Sequence, residues 1–171
     1  FLGLLHLDVI QERLQREFDI GLVISAPSVK YKLKLKDGSE IEVDNPSYWP
    51  DPMAIESASE PYIKASIITP ETYVGGVMEL CREHRSESQT MNFLSAKRME
   101  VTSIMPLGEV LFEFYGKLKM LTRGYGSFDY VPIEYRTTDI VKVDIMVNKE
   151  AVDTLSYLVH RDKARTRALH Y

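Results

Sequence analysis

Apolar and polar residues recur along this chain at two different periods, and each period predicts a different kind of element. Residues 7–18 follow the helical period, and Gly21 stands where it would end the helix. Residues 29–35 and 40–44 instead alternate between apolar and polar, which predicts the two strands of a hairpin. The apolar face of the predicted helix consists of Leu7, Ile10, Leu14 and Phe18.

The parity of the hairpin loop decides which faces of the two strands meet. A two-residue loop at Asp37-Gly38 would mix apolar and polar faces, whereas an odd loop keeps apolar residues opposite apolar residues. We therefore predict a three-residue loop over 36–38, with Gly38 in the left-handed conformation and Lys34 opposite Glu40. The lysines of the first strand then form a solvated, charge-matched sheet face, and an RNA-binding stripe is the alternative.

Prolines punctuate the next stretch, because residues 44–61 hold half of the 8 prolines in the chain. Proline disfavours helical structure at the residue before it and donates no backbone hydrogen bond. The pattern predicts a linker over 46–59 and a domain boundary there. We expect the single Trp49 to hold this linker against a neighbouring surface.

Regular periods return beyond residue 60, where strands and helices are predicted to alternate. Thr69 is expected to cap the first helix, with Pro70 at its first position and Gly124 ending the second helix. A further hairpin is predicted over 141–159. The predicted order is strand 62–68, helix 71–85, strands 88–95 and 98–105, helix 107–121 and strand 127–135. This β-α-β-β-α-β order is that of a ferredoxin-like α+β sandwich.

The composition bounds the class of protein. With 171 residues and 44% hydrophobic content, the chain can bury the core of one or two domains. No apolar run approaches the roughly 20 residues needed to cross a bilayer. The single cysteine fits a reducing compartment, so we expect a cytoplasmic protein without a disulfide partner. The net charge of −4 argues against bulk electrostatic binding of nucleic acid, so any RNA contact must be local.

The residues show no pattern for catalysis, nucleotide binding or metal binding. The Gly-Lys pair at Gly116-Lys117 lacks the rest of a phosphate-binding loop, so we expect no GTP site and no GTP hydrolysis in this part. The histidines lie far apart along the chain, which disfavours a metal site. Cys81 falls on the apolar face of the predicted 71–85 helix and is expected to be a core residue, not a nucleophile.

The stretch 123–130 resembles the signature of the RNA-recognition motif at its first four positions and at its last. In that fold the signature lies on the strand before the second helix, whereas here it follows the second predicted helix. Ser127 also replaces a stacking aromatic residue. We therefore reject that fold and predict that Gly124 and Gly126 end the helix and allow a close backbone approach.

Several segments, spread in order over the chain, together form a recognisable set. They are Gly3-Leu4-Leu5-His6, Gln11-Glu12-Arg13-Leu14, Glu17-Phe18, Ala26-Pro27-Ser28-Val29, Val43-Asp44-Asn45-Pro46-Ser47, Glu60-Pro61, Arg123-Gly124-Tyr125 with Phe128-Asp129-Tyr130, and His160-Arg161-Asp162-Lys163. In this order they resemble the LepA (elongation factor 4) family of elongation factor G-like translational GTPases. The resemblance covers essentially the whole chain, and its last two segments are the more discriminating. The opening in an apparent helix without Met leads us to expect a piece of a longer protein.

The resemblance implies a domain plan and a function. Residues 1–45 would be the second half of domain III, 60–137 domain V, and 138–171 the start of the LepA-specific C-terminal domain. The full-length protein would be a ribosome-dependent GTPase that binds GTP and Mg²⁺ and promotes back-translocation of tRNA. Its partners would be ribosomal RNA, stalk-base proteins and tRNA, with peripheral membrane association in some conditions.

Basic side chains are the candidates for contact with ribosomal RNA. Solubility and favourable charge at helix C-termini explain each residue equally well when it is taken alone, whereas the resemblance favours an RNA-binding role for the group. A ferredoxin-like regulatory module that binds a small ligand is the alternative function. The candidates are Arg82, Arg85, Lys117, Lys119, Arg123, His160, Arg161, Lys163, Arg165 and Arg167.

Overall fold

An antiparallel sheet of 6 strands organises the computed structural model, which describes residues 4–18, 28–111, 113–144, 146–147, 150–151 and 156–168. The strands are β1 Tyr31–Leu35, β2 Glu40–Val43, β3 Ile55–Pro70, β4 Ser88–Ser95, β5 Arg98–Pro106, β6 Ser127–Thr138, β7 Ile140–Val143, β8 Met146–Val147, β9 Glu150–Ala151 and β10 Tyr157–His160. The helices are α1 Leu4–Phe18, α2 Val74–Glu83, α3 Leu107–Val110, α4 Phe114–Leu121 and α5 Arg161–Ala168.

The predicted ferredoxin-like unit is confirmed as β3-α2-β4-β5-α3-α4-β6, with β6 and β5 on opposite sides of β3. Strands 62–68 and 127–135 are neighbours in one sheet, in a register that places Ile67 opposite Phe128. The main core lies between this sheet and the helices. It contains Ile63, Ala65 and Ile67 of β3, Val77, Leu80 and Cys81 of α2, Val101 and Met105 of β5, and Phe114 and Leu118 of α4.

Three predicted helix features are wrong. Thr69 does not cap a helix, because β3 runs on to Pro70 and Thr69 is paired with Met99 of β5 in the ladder. For the same reason Pro70 is not the first residue of a helix, since a 3-10 turn over Glu71–Tyr73 follows it and α2 begins at Val74.

The predicted helix 107–121 is two helices, α3 and α4. The backbone of Glu113 separates them, because its φ of 4° lies outside the helical region. Val110 before this break and Phe114 after it are both buried in the main core, whereas Leu111 between them packs on a second cluster.

The β1–β2 hairpin has the predicted register, with Lys34 opposite Glu40. Gly38 has a φ of +87°, and the backbone N–H of Leu35 donates to the carbonyl of Ser39 at 2.9 Å, which closes the three-residue loop. The Lys34 ammonium, however, lies 3.2 Å from the carboxylate of Glu56 on β3. The sheet face is therefore charge-matched, but the ion pair forms with the third strand.

The prediction that residues 46–59 form a linker is wrong for its last five residues, because β3 begins at Ile55. Short 3-10 turns occupy Pro46–Tyr48 and Pro52–Ala54, and Asn45 and Asp51 cap them. Residues 55–59 form a strand because β1 lies alongside them and satisfies their backbone hydrogen bonds. Trp49 packs edge-on against Tyr31 with ring centroids 6.3 Å apart, as its predicted role requires.

A second core joins the hairpin to the C-terminal strands. Its buried residues are Val29, Tyr31, Leu33, Val43, Ala58, Ile140 and Leu158. Strands β7 and β10 pair antiparallel, and the short strands β8 and β9 pair between them. The second predicted hairpin is thus present within the described residues.

Helix α1 confirms the helical period at the start of the chain. An i,i+4 pair joins Glu12 and Arg16 at 2.6 Å on its polar side. The apolar stripe ends in Phe18, which is 61% exposed. The predicted stop at Gly21 and the predicted turn at 25–27 lie outside the described residues.

Candidate nucleic-acid interface

The predicted cations lie on three segments: the end of α2, α4 with the turn after it, and β10 with α5. On the last turn of α2, the side chain of Arg82 is 64% exposed, and its guanidinium lies 4.0 Å from the Glu79 carboxylate three residues earlier. An exposed pair at this distance restrains the side chain little. Arg82 therefore presents a solvent-facing positive charge.

Arg85 is in a different environment, because its guanidinium is held inside the fold. Two of its nitrogens donate to the two carboxylate oxygens of Glu60 at 2.8 and 3.0 Å, and a third donates to Glu109 at 2.8 Å. Only 18% of the Arg85 side chain and 2% of the Glu60 side chain are exposed. Burial opposes the charged guanidinium, but the two carboxylates outweigh it and raise the pKa of Arg85 above its ordinary value.

A second arginine extends this network across the sheet. The guanidinium of Arg136 on β6 pairs with Glu87 and Glu134 and lies 4.6 Å from the ring centroid of Tyr62. Burial, followed by a hydrogen bond with Glu87, raises the pKa of Tyr62 to about 12. The network of Glu60, Arg85, Glu109, Tyr62, Glu87, Arg136 and Glu134 thus joins β3, α3, β6 and the end of α2.

Lys117 and Lys163 are brought together around buried His84, which ends α2. Nδ1 of His84 lies 2.9 Å from the carbonyl of Leu80, and the ring packs edge-on against Phe114. Burial lowers the pKa of His84, and the positive charges of Lys117 and Lys163 lower it further. The imidazole is therefore a neutral core group, not a cation on the surface.

The turn after α4 carries the next two predicted cations. Nζ of Lys119 donates to the carbonyl of Gly126 at 2.6 Å, so this ammonium holds the turn closed. Arg123 adopts a left-handed φ of +51°, is exposed, and makes no side-chain hydrogen bond or ion pair with another described residue. The prediction that glycines end this helix is confirmed, because Gly124 has a φ of +85° and a Cβ on Gly126 would lie 2.7 Å from Oγ1 of Thr122.

The C-terminal cations have mixed environments. Arg161 pairs with Asp139, while Lys163 donates to the backbone carbonyl of Glu83 at 2.6 Å and so links α5 to the end of α2. His160 lies partly buried beside Asp162, 3.6 Å from its carboxylate. Arg165 is exposed, and the side chain of Arg167 lies outside the described residues.

Four of the predicted cations therefore lie at two opposite ends of the α2 and α4 layer. Arg82, Lys117 and Lys163 surround the end of α2, and Arg123 lies beyond the opposite end of α4. We call Arg82, Lys117 and Arg123 the basic surface, and leave out Lys163 because its ammonium already donates to the carbonyl of Glu83. Between the ends, α2 and α4 enclose a shallow groove of about 370 Å³ lined by Gly76, Glu79, Leu80, Glu83, Lys117, Met120 and Leu121.

Sequence reasoning missed the buried network around Arg85. Its two carboxylates are 25 and 24 residues from Arg85 along the chain, so no local spacing links them. Arg85 also has a left-handed φ of +57°, which is unusual for a residue other than glycine. This conformation is seen in the structure and has no signal in the sequence.

Other chemistry finds little support in the described part of the chain. Cys81 is fully buried, as predicted, and burial raises the pKa of its thiol to about 11. No group of three or more potential metal ligands occurs among the described residues. No helix in the described ranges is both long enough and apolar enough to cross a membrane.

Comparison with known proteins relates the chain to one family. Residues 57–146 match the family described as Elongation factor G C-terminus. The whole chain aligns with the protein named Elongation factor 4 2 of Rhodopirellula baltica at 82% identity, and the alignment covers 29% of that protein. It also aligns with Elongation factor 4 of Desulfotalea psychrophila at 56% identity, over 99% of this chain and 28% of that protein.

The chain spans less than a third of the length of these curated relatives. A crystal structure from Thermus thermophilus has a TM-score of 0.44 and 24% identity, and covers 48% of this chain and 12% of its own. That likeness is too weak to bear on the fold. The resemblance seen in the sequence segments is confirmed by the identity to elongation factor 4 proteins. Since the family match covers more than half of its residues, the chain belongs to the Elongation factor G C-terminus family.

Proposed function

We propose that this chain is the ribosome-docking and tRNA-facing part of a LepA-type translation factor, a ribosome-dependent GTPase that promotes back-translocation and translational fidelity. The family match and the 82% identity to an Elongation factor 4 support a translation factor. Because the sequence contains no complete phosphate-binding loop, we assign GTP and Mg²⁺ to the rest of the longer protein. Cytoplasmic action follows from the ribosome as partner, and peripheral membrane association stays a prediction.

The proposed domain division is 1–45 as half of a domain III-like unit, 60–137 as a domain V-like unit, and 138–171 as the start of the C-terminal domain. The hairpin of the first unit is hydrogen-bonded to β3 through residues 55–59. Its core also includes Ile140 and Leu158 from the last unit. Side-chain packing thus supports a connected docking platform.

The observation that carries the proposal is the exposure of the basic surface on the helical layer of a net-acidic chain. A protein of net charge −4 that binds RNA must concentrate its cations where they meet phosphates. Arg82 and Arg123 are exposed, and Lys117 keeps 47% of its side chain exposed beside Glu113. We leave Arg85 and Lys119 out, because internal oxygens already accept their hydrogen bonds.

Charge reversal in the full-length protein tests the proposal. The triple variant Arg82→Glu, Lys117→Glu and Arg123→Glu should bind purified ribosomes more weakly in co-sedimentation at unchanged melting temperature. Each lost phosphate contact should also flatten the dependence of log K on log salt concentration by roughly 0.7–0.9.

A matched control changes the same amount of charge elsewhere. Lys30, Lys36 and Lys97 are exposed, and none forms an ion pair with a described residue. Their triple reversal to Glu should leave ribosome binding near that of the parent. If the Arg82, Lys117 and Arg123 variant binds like this control, with an unchanged salt slope, the basic surface is only a solvated face. Stabilisation by a small metabolite in a thermal-shift screen would then favour the regulatory-module alternative.

A further inference from the structure

The turn after α4 displays one tyrosine outward on a rigid support. Thr122 is fully buried; its hydroxyl donates to the carbonyl of Leu118 at 2.8 Å and accepts the N–H of Gly126 at 2.8 Å. The N–H of Tyr125 also donates to the carbonyl of Thr122 at 3.0 Å. Because both ends of the turn are fixed in this way, the Tyr125 backbone has little freedom.

The ring of Tyr125 is nevertheless unused by the fold. It is 71% exposed, and it makes no ring contact, cation contact or side-chain hydrogen bond with any described residue. The other aromatic residues of the same stretch behave differently, because Phe128 stacks between Phe114 and Tyr130 with centroids 5.3 and 5.8 Å away. The aromatic residues of β6 therefore serve the fold, whereas Tyr125 is free to meet a partner.

One exposed cation lies close to Tyr125 along the chain. Arg123, two residues earlier, is exposed and has no acidic partner among the described residues. The Lys119 ammonium lies beneath the turn, bonded to the carbonyl of Gly126, and 5.4 Å from the ring centroid of Tyr115. Lys119 is thus already engaged by the turn, whereas Arg123 is available. An exposed aromatic ring two residues from such an arginine complements a nucleotide, which has a flat base next to a phosphate.

We propose that Tyr125 stacks on an unpaired base of ribosomal RNA while Arg123 contacts a neighbouring phosphate. The base must be unpaired because a ring on a tight turn reaches the flat face of a base only when that base is outside a helical stack. This inference rests on the proposed function and assigns its chemistry to one residue. It differs from the RNA-recognition motif, whose stacking residues lie on strands within the sheet.

Stacking and charge have separable signatures in ribosome binding. Tyr125→Leu in the full-length protein should weaken binding roughly five- to a hundredfold without changing the salt slope, because stacking releases no counterions. Tyr125→Phe keeps the ring and should bind within about twofold of the parent. Arg123→Gln should instead flatten the slope by roughly 0.7–0.9. Tyr48→Leu is the matched control, because Tyr48 is 72% exposed at a site remote in sequence.

Two outcomes would overturn the inference. If Tyr125→Leu binds as tightly as Tyr48→Leu while the basic-surface variant loses binding, docking stands and stacking is wrong. A photocrosslinking amino acid placed at position 125 supplies the second measurement: crosslinks to ribosomal RNA support the inference, and crosslinks to a ribosomal protein refute it. If neither the Tyr125 nor the charge variants affect ribosome binding, the proposed function itself fails.

Discussion

Replacing Arg85, which lies two residues after the end of α2, with Met should destabilise the fold far more than the same change at Arg82 in the last turn of that helix. The substitution removes the only cation that hydrogen-bonds the Glu60 carboxylate among the described residues, and that side chain is 2% exposed. Methionine keeps the bulk of the chain and, like arginine, carries a Cβ. The left-handed backbone of residue 85 is therefore equally strained in both proteins, and the comparison isolates the charge.

The magnitude follows from burial. Breaking a buried ion pair by removing one partner costs about 3–5 kcal/mol, because the remaining charge is left in a poorly solvated site. Since 18% of the Arg85 side chain reaches solvent, water can partly replace the guanidinium, and we expect the lower end, about 3 kcal/mol. With a urea dependence of about 2 kcal/mol per molar, the unfolding midpoint should fall by about 1.5 M.

Urea unfolding followed by circular dichroism measures this shift. Arg82→Met is the matched control, three residues earlier and 64% exposed, and it should cost at most about 0.5 kcal/mol. Adding Glu60→Leu to Arg85→Met should recover much of the loss, because an apolar pair needs no hydrogen-bond partner. A midpoint for Arg85→Met equal to that of Arg82→Met would refute the claim that the buried pair is required for stability.

Three further substitutions test the pH dependence of stability and the packing of the helical layer. Burial lowers the pKa of His84 below its ordinary value of 6.5. As the pH falls below 6.5, the unfolded chain therefore binds a proton at this residue more readily than the folded protein does. The stability that this residue contributes above pH 6.5 is lost as the pH falls through the folded pKa. His84→Asn, which keeps a donor toward Leu80, should therefore lose less stability than the parent between about pH 7 and pH 5 in urea unfolding; equal losses would contradict this assignment. Gly126→Ala should cost about 1–3 kcal/mol, because its Cβ would lie 2.7 Å from Oγ1 of Thr122. The control is Gly116→Ala in the open middle of α4, which should stabilise the fold by up to about 1 kcal/mol. If thermal unfolding shows equal stability for the two alanine variants, the close approach of Gly126 to Thr122 is wrong.

The candidate site was only partly predictable. Sequence shows which residues carry charge, and on that basis it points to the exposed positions Arg82 and Arg123. It does not show which charges are already paired, because a partner such as Glu60 is distant along the chain and close only in the fold. Arg85 therefore looks equivalent to Arg82 in the sequence, although the structure makes it part of the interior.

The sequence by itself determined the features that depend on local periodicity and on the parity of the hairpin loop. The helix of residues 7–18, the order β-α-β-β-α-β and the hairpin register of Lys34 opposite Glu40 all follow from spacings within a few residues. These succeed because side chains two or four positions apart must share a face of a strand or helix. The apolar face of each element then has to be the one that is buried.

Only the tertiary structure decided where those elements begin and end. Strand β3 starts at Ile55, inside a proline-rich stretch, because β1 lies alongside it and pairs with its backbone. The predicted second helix is interrupted at Glu113, where φ is 4°, so that Leu111 packs on the second core while Val110 and Phe114 stay buried in the main one. In both cases the contacts that accompany the boundary come from segments far along the chain. Hydrogen bonds and burial supplied by such a segment outweigh local propensities of about 1 kcal/mol per residue or less.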